Sequence, residues 1–120
     1  MIRILIPSPA AVVLTAAALV PTAAQAASFD CSKATEPDEI AICSNPDLSA
    51  LDSEMGALWF TYSKLPMLIG ASGARHDEAE AFLRRRGACG GDTACLHQLY
   101  VERIRMLRQG IEKNLPGTGG

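Results

Sequence analysis

Apolar side chains recur at steps of three and four residues along two stretches of the chain, which is the spacing of one face of an α-helix. The first stretch has seven such positions: Leu48, Leu51, Met55, Leu58, Trp59, Tyr62 and Leu65. The second has the same spacing and includes one arginine: Leu96, Leu99, Tyr100, Arg103, Ile104, Leu107 and Ile111. No strand-like alternation of apolar and polar residues is present, so the pattern predicts an all-helical fold.

Capping residues define the start and end of the first two predicted helices. Pro37 suits the first position of a short helix, and the acids that follow it favour the positive end of the helix dipole. Asn45, Pro46 and Asp47 give a second start signal, with a capping side chain, a proline at the first helical position and an acid in the first turn. The second helix, which contains the first apolar stretch, is predicted to end at Pro66.

Two further helices complete the predicted fold. Residues Met67–Gly73 are expected to form a connection partly packed on the core. The third helix is expected from about Arg75 to Ala88, with one side formed by Ala79, Phe82, Leu83 and the stem of Arg86. The Gly90-Gly91 pair predicts a turn, after which Asp92 or Thr93 caps the last helix. We therefore predict a small all-α, disulfide-stapled bundle of about four helices arranged as helical hairpins.

Residues 1–26 have the features of a secretory signal peptide. They contain one charge, Arg3, and an apolar stretch at Ala10–Val20. Small residues, Ala24 and Ala26, occupy the two positions that a signal peptidase reads. As a helix, that stretch is about 16 Å long, roughly half of a bilayer core. We predict cleavage after Ala26, with an uncleaved anchor as the alternative. The mature protein is then expected to be periplasmic or secreted, without a membrane span, with a helical domain at 27–115 and a flexible tail at 116–120.

Four cysteines in an exported chain predict two disulfides. Cys31, Cys43, Cys89 and Cys95 are separated by 12, 46 and 6 residues. The pairing Cys31–Cys43 with Cys89–Cys95 closes the shortest loops and is favoured among three possible connectivities. A zinc site made from all four thiolates is the alternative, and its usual ligand spacing is absent.

The charge of the chain is unevenly distributed. The formal net charge is −2, but residues 27–80 contain ten acids and three bases, whereas residues 81–120 contain three acids and seven bases. One interpretation is that the two parts complement each other internally. The other is an acidic face that attracts a cationic partner. The basic run at Arg84–Arg86 lacks interleaved aromatic residues and lies in an exported chain, so a nucleic-acid partner is not expected.

The sequence offers few groups for catalysis. His76 and His97 are the only histidines, and each lies in a stretch where a solvated helix face explains it. Carboxylate pairs such as Asp52 and Glu54 are expected on exposed helix faces. We therefore predict no catalytic residue, metal or cofactor. A small hydrolase that depends on His76 or a carboxylate is the enzymatic alternative.

Residues along the whole predicted mature chain resemble the LprI-like lysozyme-inhibitor family. The matching positions are the run Phe29–Ala34, Glu39, Ile42-Cys43 and Leu48–Asp52, and in the second half Phe82–Arg84, Arg86, Cys89, Cys95-Leu96, Tyr100, Arg103-Ile104 and Leu107. The chain departs from the family pattern at Phe82, where the family has tryptophan, and at Gly87, where it has an acid. Phe82 keeps an aromatic core anchor.

The resemblance implies an exported, disulfide-linked helical domain that binds and occludes a cationic lysozyme without catalysis. Another cationic envelope protein is a further possible partner, and an envelope structural or stress-related binding module is the alternative function. The expected occluding elements are Met67–Ile69 or the Cys89–Cys95 turn. We expect Arg86, Tyr100 and Arg103 to lie together, with an arginine paired to Asp52 or Glu54; partner contact is the alternative role for these side chains.

Overall fold

The computed structural model describes residues 4–13, 27–67 and 69–115. The domain begins with a 3₁₀-helix, Cys31–Lys33, followed in chain order by α1 (Pro37–Ser44), α2 (Pro46–Lys64), α3 (Ile69–Cys89) and α4 (Thr93–Asn114). These described ranges contain four α-helices and no strand, which confirms the predicted all-α bundle.

The predicted leader and tail fall largely beyond this description. Residues 4–13 are exposed and have no regular secondary structure. The remaining leader positions, including the predicted cleavage site after Ala26, and the predicted tail at 116–120 lie outside the described residues. Within the described ranges, no helix has both the length and the apolar character needed to cross a membrane.

The predicted capping residues act at the helix ends. The side chain of Asn45 accepts hydrogen bonds from the backbone N–H groups of Asp47 and Leu48, and Pro46 occupies the first turn of α2. Asp92 accepts from the N–H of Cys95 and caps α4. Gly90 has a φ of +56°, which favours glycine and allows the chain to turn after α3.

Helix α3 starts earlier than the sequence predicts. The connection expected at Met67–Gly73 is wrong for its second part, because α3 already begins at Ile69. Arg75, expected at a helix start, is instead buried, and its Nη1 donates to the backbone carbonyls of Tyr62 and Leu65. These bonds satisfy carbonyls at the end of α2 and anchor the first turns of α3 against it. This tertiary contact offsets the low helix propensity of the two glycines in that segment.

The core lies where α4 packs along α2, with α1 against α2 and α3 against α4. Its buried apolar side chains come from the N-terminal segment and all four α-helices: Ala27, Ile42, Leu48, Phe82, Leu96, Tyr100, Ile104 and Leu107. Helices α2 and α3 make few direct contacts with each other. Leu83 lies on the same side of α3 as Ala79 and Phe82 and is 51% exposed there.

The four cysteines form the two favoured disulfides. Cys31–Cys43 ties the 3₁₀-helix to α1 with a Cα–Cα distance of 5.8 Å, and Cys89–Cys95 joins the end of α3 to the first turn of α4 at 5.6 Å. All four thiols are therefore committed, and the alternative four-thiolate zinc site is not formed. Disulfides of this kind are consistent with an extracytoplasmic location.

Two helical glycines provide a matched test of this packing. A Cβ at Gly110 would lie 2.8 Å from the ring of Tyr62, whereas one at Gly87 would meet nothing within 4 Å. We expect Gly110→Ala to reduce the free energy of unfolding by about 1–3 kcal/mol, because α4 must move away from α2. Gly87→Ala should be neutral or stabilising by up to about 1 kcal/mol. Urea denaturation measures both, and equal effects would contradict the α2–α4 contact.

Candidate functional site

A buried carboxylate links three parts of the chain. Asp52, expected on an exposed helix face, lies instead on the face of α2 that meets α4 and has no exposed surface. Its Oδ1 accepts a hydrogen bond from the Tyr100 hydroxyl at 2.6 Å, and its Oδ2 accepts from both the N–H and the hydroxyl of Ser28 at 2.6 Å. The described contacts thus surround this carboxylate with neutral donors.

The N-terminal segment of the domain packs closely against α2. Ala27 is buried in the core, and a Cβ at Gly56 would lie 2.8 Å from the Cβ of Ser28. Gly56 therefore allows the backbone around Ser28 to approach until both Ser28 donors reach Asp52. The first residues of the predicted mature chain are consequently part of the fold.

Arg86 pairs with a different acid from the one expected. Its Nε donates to Oδ2 of Asp38 at 2.7 Å, and its guanidinium lies 5.3 Å from the ring centre of Phe29. Burial opposes the charged form, but the hydrogen bond to Asp38 and the proximity of Tyr100 leave the pKa of Arg86 raised.

The expected pairing of an arginine with Asp52 or Glu54 is wrong for both Arg86 and Arg103. Asp52 binds Tyr100 and Ser28, and Glu54 pairs with Arg108. The expectation fails because α1, whose position is restrained by a disulfide, brings Asp38 to Arg86. Arg86 and Tyr100 interact, and the charge of Arg86 opposes part of the rise in the pKa of Tyr100.

Arg103 is buried with few polar partners among the described contacts. It is 5% exposed, and its guanidinium lies 5.8 Å from the ring centre of Trp59 and 5.9 Å from that of Phe82. Its one described ion pair is with Glu78 at 3.7 Å, and its Nε has no hydrogen-bond partner. Burial lowers the pKa of Arg103. This buried cation thus lacks the full set of acceptors that such groups normally have.

Several cavities lie near these side chains, and two of them share lining residues. The first, which we call the α2–α3 groove, measures about 100 Å³ and has six lining residues: Met55, Trp59, Ala79, Phe82, Leu83 and Arg103. A more open depression of about 410 Å³ lies beside the N-terminal segment and shares Met55 and Leu83 with the groove. The two therefore lie next to each other, with Met55 and Leu83 between them.

The charge distribution serves internal pairing in part. Arg86–Asp38, Arg103–Glu78 and Arg108–Glu54 each join an acid from residues 27–80 to an arginine from residues 81–120. Other acids of the first part, Asp47, Asp77 and Glu80, are exposed and take part in none of the described ion pairs. Some negative charge therefore remains at the surface.

The predicted catalytic alternatives gain no supporting geometry. Both His76 and His97 are exposed, and His76 contacts the edge of Trp59, with ring centres 5.9 Å apart. In the described ranges, no group of three or more His, Cys, Asp or Glu side chains is arranged to hold a metal ion. Asp52 and Glu54 have separate partners, so they form no carboxylate pair.

The structure describes only one of the two expected occluding elements in full. Leu68 lies outside the described residues, and Ile69 opens α3. The Cys89–Cys95 turn, residues 90–94, is exposed from Gly91 onward and is closed by a disulfide at its base. It is thus a short, covalently restrained projection at one end of the helical hairpin.

Sequence reasoning missed the roles of three polar residues. Ser28 carries no pattern that marks its role, Asp38 has the position of an acid at a helix start, and Arg75 stands at the expected start of the third helix. Only Asp38 belongs to a recognisable motif, and that motif predicts helix capping, not an ion pair with Arg86.

Together, these features define a small helical bundle with two disulfides, a buried polar network and an apolar groove above a buried arginine. Comparison with protein-family models, with curated proteins and with solved structures finds no match to this chain.

Proposed function

We propose that this protein is an exported, non-catalytic inhibitor of a cationic lysozyme. The observation that carries the proposal is the Cys89–Cys95 turn, an exposed segment fixed at both ends by a disulfide and by two long helices. The resemblance to lysozyme inhibitors along the predicted mature chain supports this function. The predicted signal peptide and the two disulfides support a periplasmic or secreted location.

A restrained turn is suited to blocking a cleft. Because its backbone is already fixed, it loses little conformational entropy on binding. Lysozymes cleave glycosidic bonds with two carboxyl groups in a cleft, and a complex of standard size buries about 1,600 Å² in total. The exposed acids Asp47, Asp77 and Glu80 give the protein surface charge that attracts a cationic partner and raises the association rate.

Inhibition of lysis tests this proposal. Purified mature protein is titrated into a suspension of bacterial cells with a cationic lysozyme, and the fall in turbidity is followed at low and moderate salt. We expect inhibition at a concentration on the order of 1 μM at low salt, weaker at moderate salt because screening slows association. Unchanged lysis at both salt concentrations would contradict the proposal for that lysozyme.

Two glycine variants test which surface binds. Gly91 lies in the turn and Gly73 near the start of α3, and a Cβ atom at either would meet nothing within 4 Å. We expect Gly91→Arg to weaken inhibition at least about tenfold by blocking the approach of the turn, a loss of about 1.4 kcal/mol. Gly73→Arg adds the same charge and should change inhibition less than about twofold. Equal losses would show that the turn is not the contact surface.

Exposed apolar side chains favour a second candidate, an envelope structural or stress-related binding module. Phe60 is 65% exposed, and Leu83, Val101 and Met106 are also prominent at the surface. Apolar surface of this kind can bind unfolded proteins. A pull-down from an envelope extract separates the candidates, because a binding module retains many proteins and an inhibitor retains few.

A further inference from the structure

We propose that the α2–α3 groove binds the C-terminal carboxylate of a peptide that ends in a branched aliphatic residue. The proposal is independent of lysozyme inhibition. It rests on three observations: a buried arginine whose Nε has no hydrogen-bond partner, an apolar cavity beside that arginine, and an open depression that shares two lining residues with the cavity.

Arg103 supplies the recognition of the carboxylate. Its Nε has no hydrogen-bond partner, and Glu78, the acid nearest to it, lies 3.7 Å away, beyond hydrogen-bond distance. A guanidinium donates two parallel N–H groups to a carboxylate, and this interaction is strongest where water is excluded. A ligand carboxylate in the groove would therefore satisfy a buried donor that the protein leaves unmet.

The apolar walls of the groove determine which side chain the last residue of the ligand can have. Trp59 and Phe82 flank the guanidinium, and Met55, Ala79 and Leu83 complete a lining without other charges. At about 100 Å³ the groove is smaller than an engineered cavity of about 150 Å³ that accepts benzene. A leucine or valine side chain fits this volume better than an aromatic ring does.

The open depression favours a peptide over an isolated short-chain acid. It shares Met55 and Leu83 with the groove and continues past Phe29 and Lys33 for a volume of about 410 Å³. When the last side chain of a peptide fills the groove, the residues before it can lie against the protein in the open depression. A free acid of five or six carbons would leave this path empty.

Trp59 provides the measurement, because it is the only tryptophan in the chain and it lines the groove. N-acetyl-glycyl-glycyl-leucine, its C-terminal amide and isocaproate are titrated separately into the intact protein, and tryptophan fluorescence is recorded. We expect the peptide acid to bind with a dissociation constant on the order of 1 mM, at least about tenfold more tightly than the amide or isocaproate.

Three variants assign the binding to the groove. Arg103→Met removes the charge at similar length and should abolish the preference for acid over amide. Ala79→Leu fills the groove, leaves Arg103 in place and should weaken binding of the acid at least about tenfold. Arg105→Met, on the exposed side of α4, is the control for loss of an arginine and should bind within about twofold of the parent protein.

The proposal can be tested even if one of the variants does not fold. If Arg103→Met fails to fold by circular dichroism, Ala79→Leu and the comparison of acid with amide still test it. Equal binding of acid and amide, unchanged binding by Ala79→Leu, or no fluorescence response to the acid would each overturn it. Tight binding of isocaproate alone would also overturn it, in favour of a site for small free acids.

Discussion

Asp52→Ala should lower the free energy of unfolding by about 3–5 kcal/mol, the largest effect expected from a single substitution in this protein. The reason is that the buried carboxylate accepts three hydrogen bonds, from the Tyr100 hydroxyl and from the N–H and hydroxyl of Ser28. Removing it leaves these donors without their acceptor and opens a cavity between α2 and α4. A domain of this size has a total stability of about 5–15 kcal/mol, so the variant should be close to unfolding.

Chemical denaturation followed by far-ultraviolet circular dichroism measures this effect. Asp47→Ala is the matched control, because Asp47 is an exposed acid on the same helix and should cost less than about 1 kcal/mol. Asp52→Asn retains one acceptor oxygen and should fall between the two. If Asp52→Ala costs no more than the control, the carboxylate does not hold the network described.

Tyr100 makes the stability of the same network sensitive to alkaline pH. The pKa of Tyr100 lies well above its ordinary value of 10.0. The largest cause is burial, and the hydrogen bond to Asp52 and the charge of that carboxylate raise it further. The stabilisation is fully present below about pH 10, where folded and unfolded chains are both protonated. Above it only the unfolded chain loses the proton, so the free energy of unfolding falls by up to about 1.4 kcal/mol per pH unit.

Denaturation curves between neutral pH and about pH 11 check this expectation. Tyr100→Phe is expected to be less stable at neutral pH, but its free energy of unfolding should fall less steeply with pH above about pH 10. Tyr62→Phe should keep the steep fall of the parent protein. Identical slopes in the parent protein and in Tyr100→Phe would show that Tyr100 is accessible in the folded state.

Loss of both disulfides is the other change with a large expected effect. The bridges close loops with sequence separations of 12 and 6 residues, worth about 3 and 2.5 kcal/mol by the loop-entropy relation. Their combined contribution of about 5 kcal/mol is comparable with the whole stability of a marginal small domain. We therefore expect the reduced protein to unfold at moderate temperature.

Thermal unfolding of paired Cys→Ala variants separates the two bridges. Replacing Cys89 and Cys95 should lower the midpoint by about 10 °C or more, since about 1 kcal/mol shifts it by 4–8 °C in a domain of this size. Replacing Cys31 and Cys43 should have a similar or larger effect, because that bridge also fixes α1. Shifts of less than about 2 °C would show that the helices are stable without the bridges.

The parts of the fold that sequence could predict are those determined locally. Helices α2 and α4 were predictable because each repeats apolar residues on one face and begins with its own capping side chain, Asn45 or Asp92. The Cys89–Cys95 pairing was also predictable, because one tight turn separates the cysteines. Such features depend on neighbours within a few residues in sequence.

The parts that could not be predicted depend on distant segments. The start of α3 depends on Arg75 reaching carbonyls of α2, and the partner of Arg86 depends on where a disulfide holds α1. Tyr100 and Asp52 were placed in the same candidate site, but their direct hydrogen bond depends on how α4 packs on α2. The role of Ser28 depends on the N-terminal segment folding back onto α2, for which the sequence contains no signal.

Mass analysis of the protein recovered from outside the cytoplasm tests most directly the proposal that this helical domain is exported and held by two local disulfides. Each disulfide removes two hydrogens, so the account predicts a chain that begins at Ala27 and is four hydrogens lighter than its reduced form. Digestion without reduction should yield linked peptides for Cys31–Cys43 and for Cys89–Cys95. Free thiols, a linkage between the two pairs or a retained N-terminal leader would contradict the account.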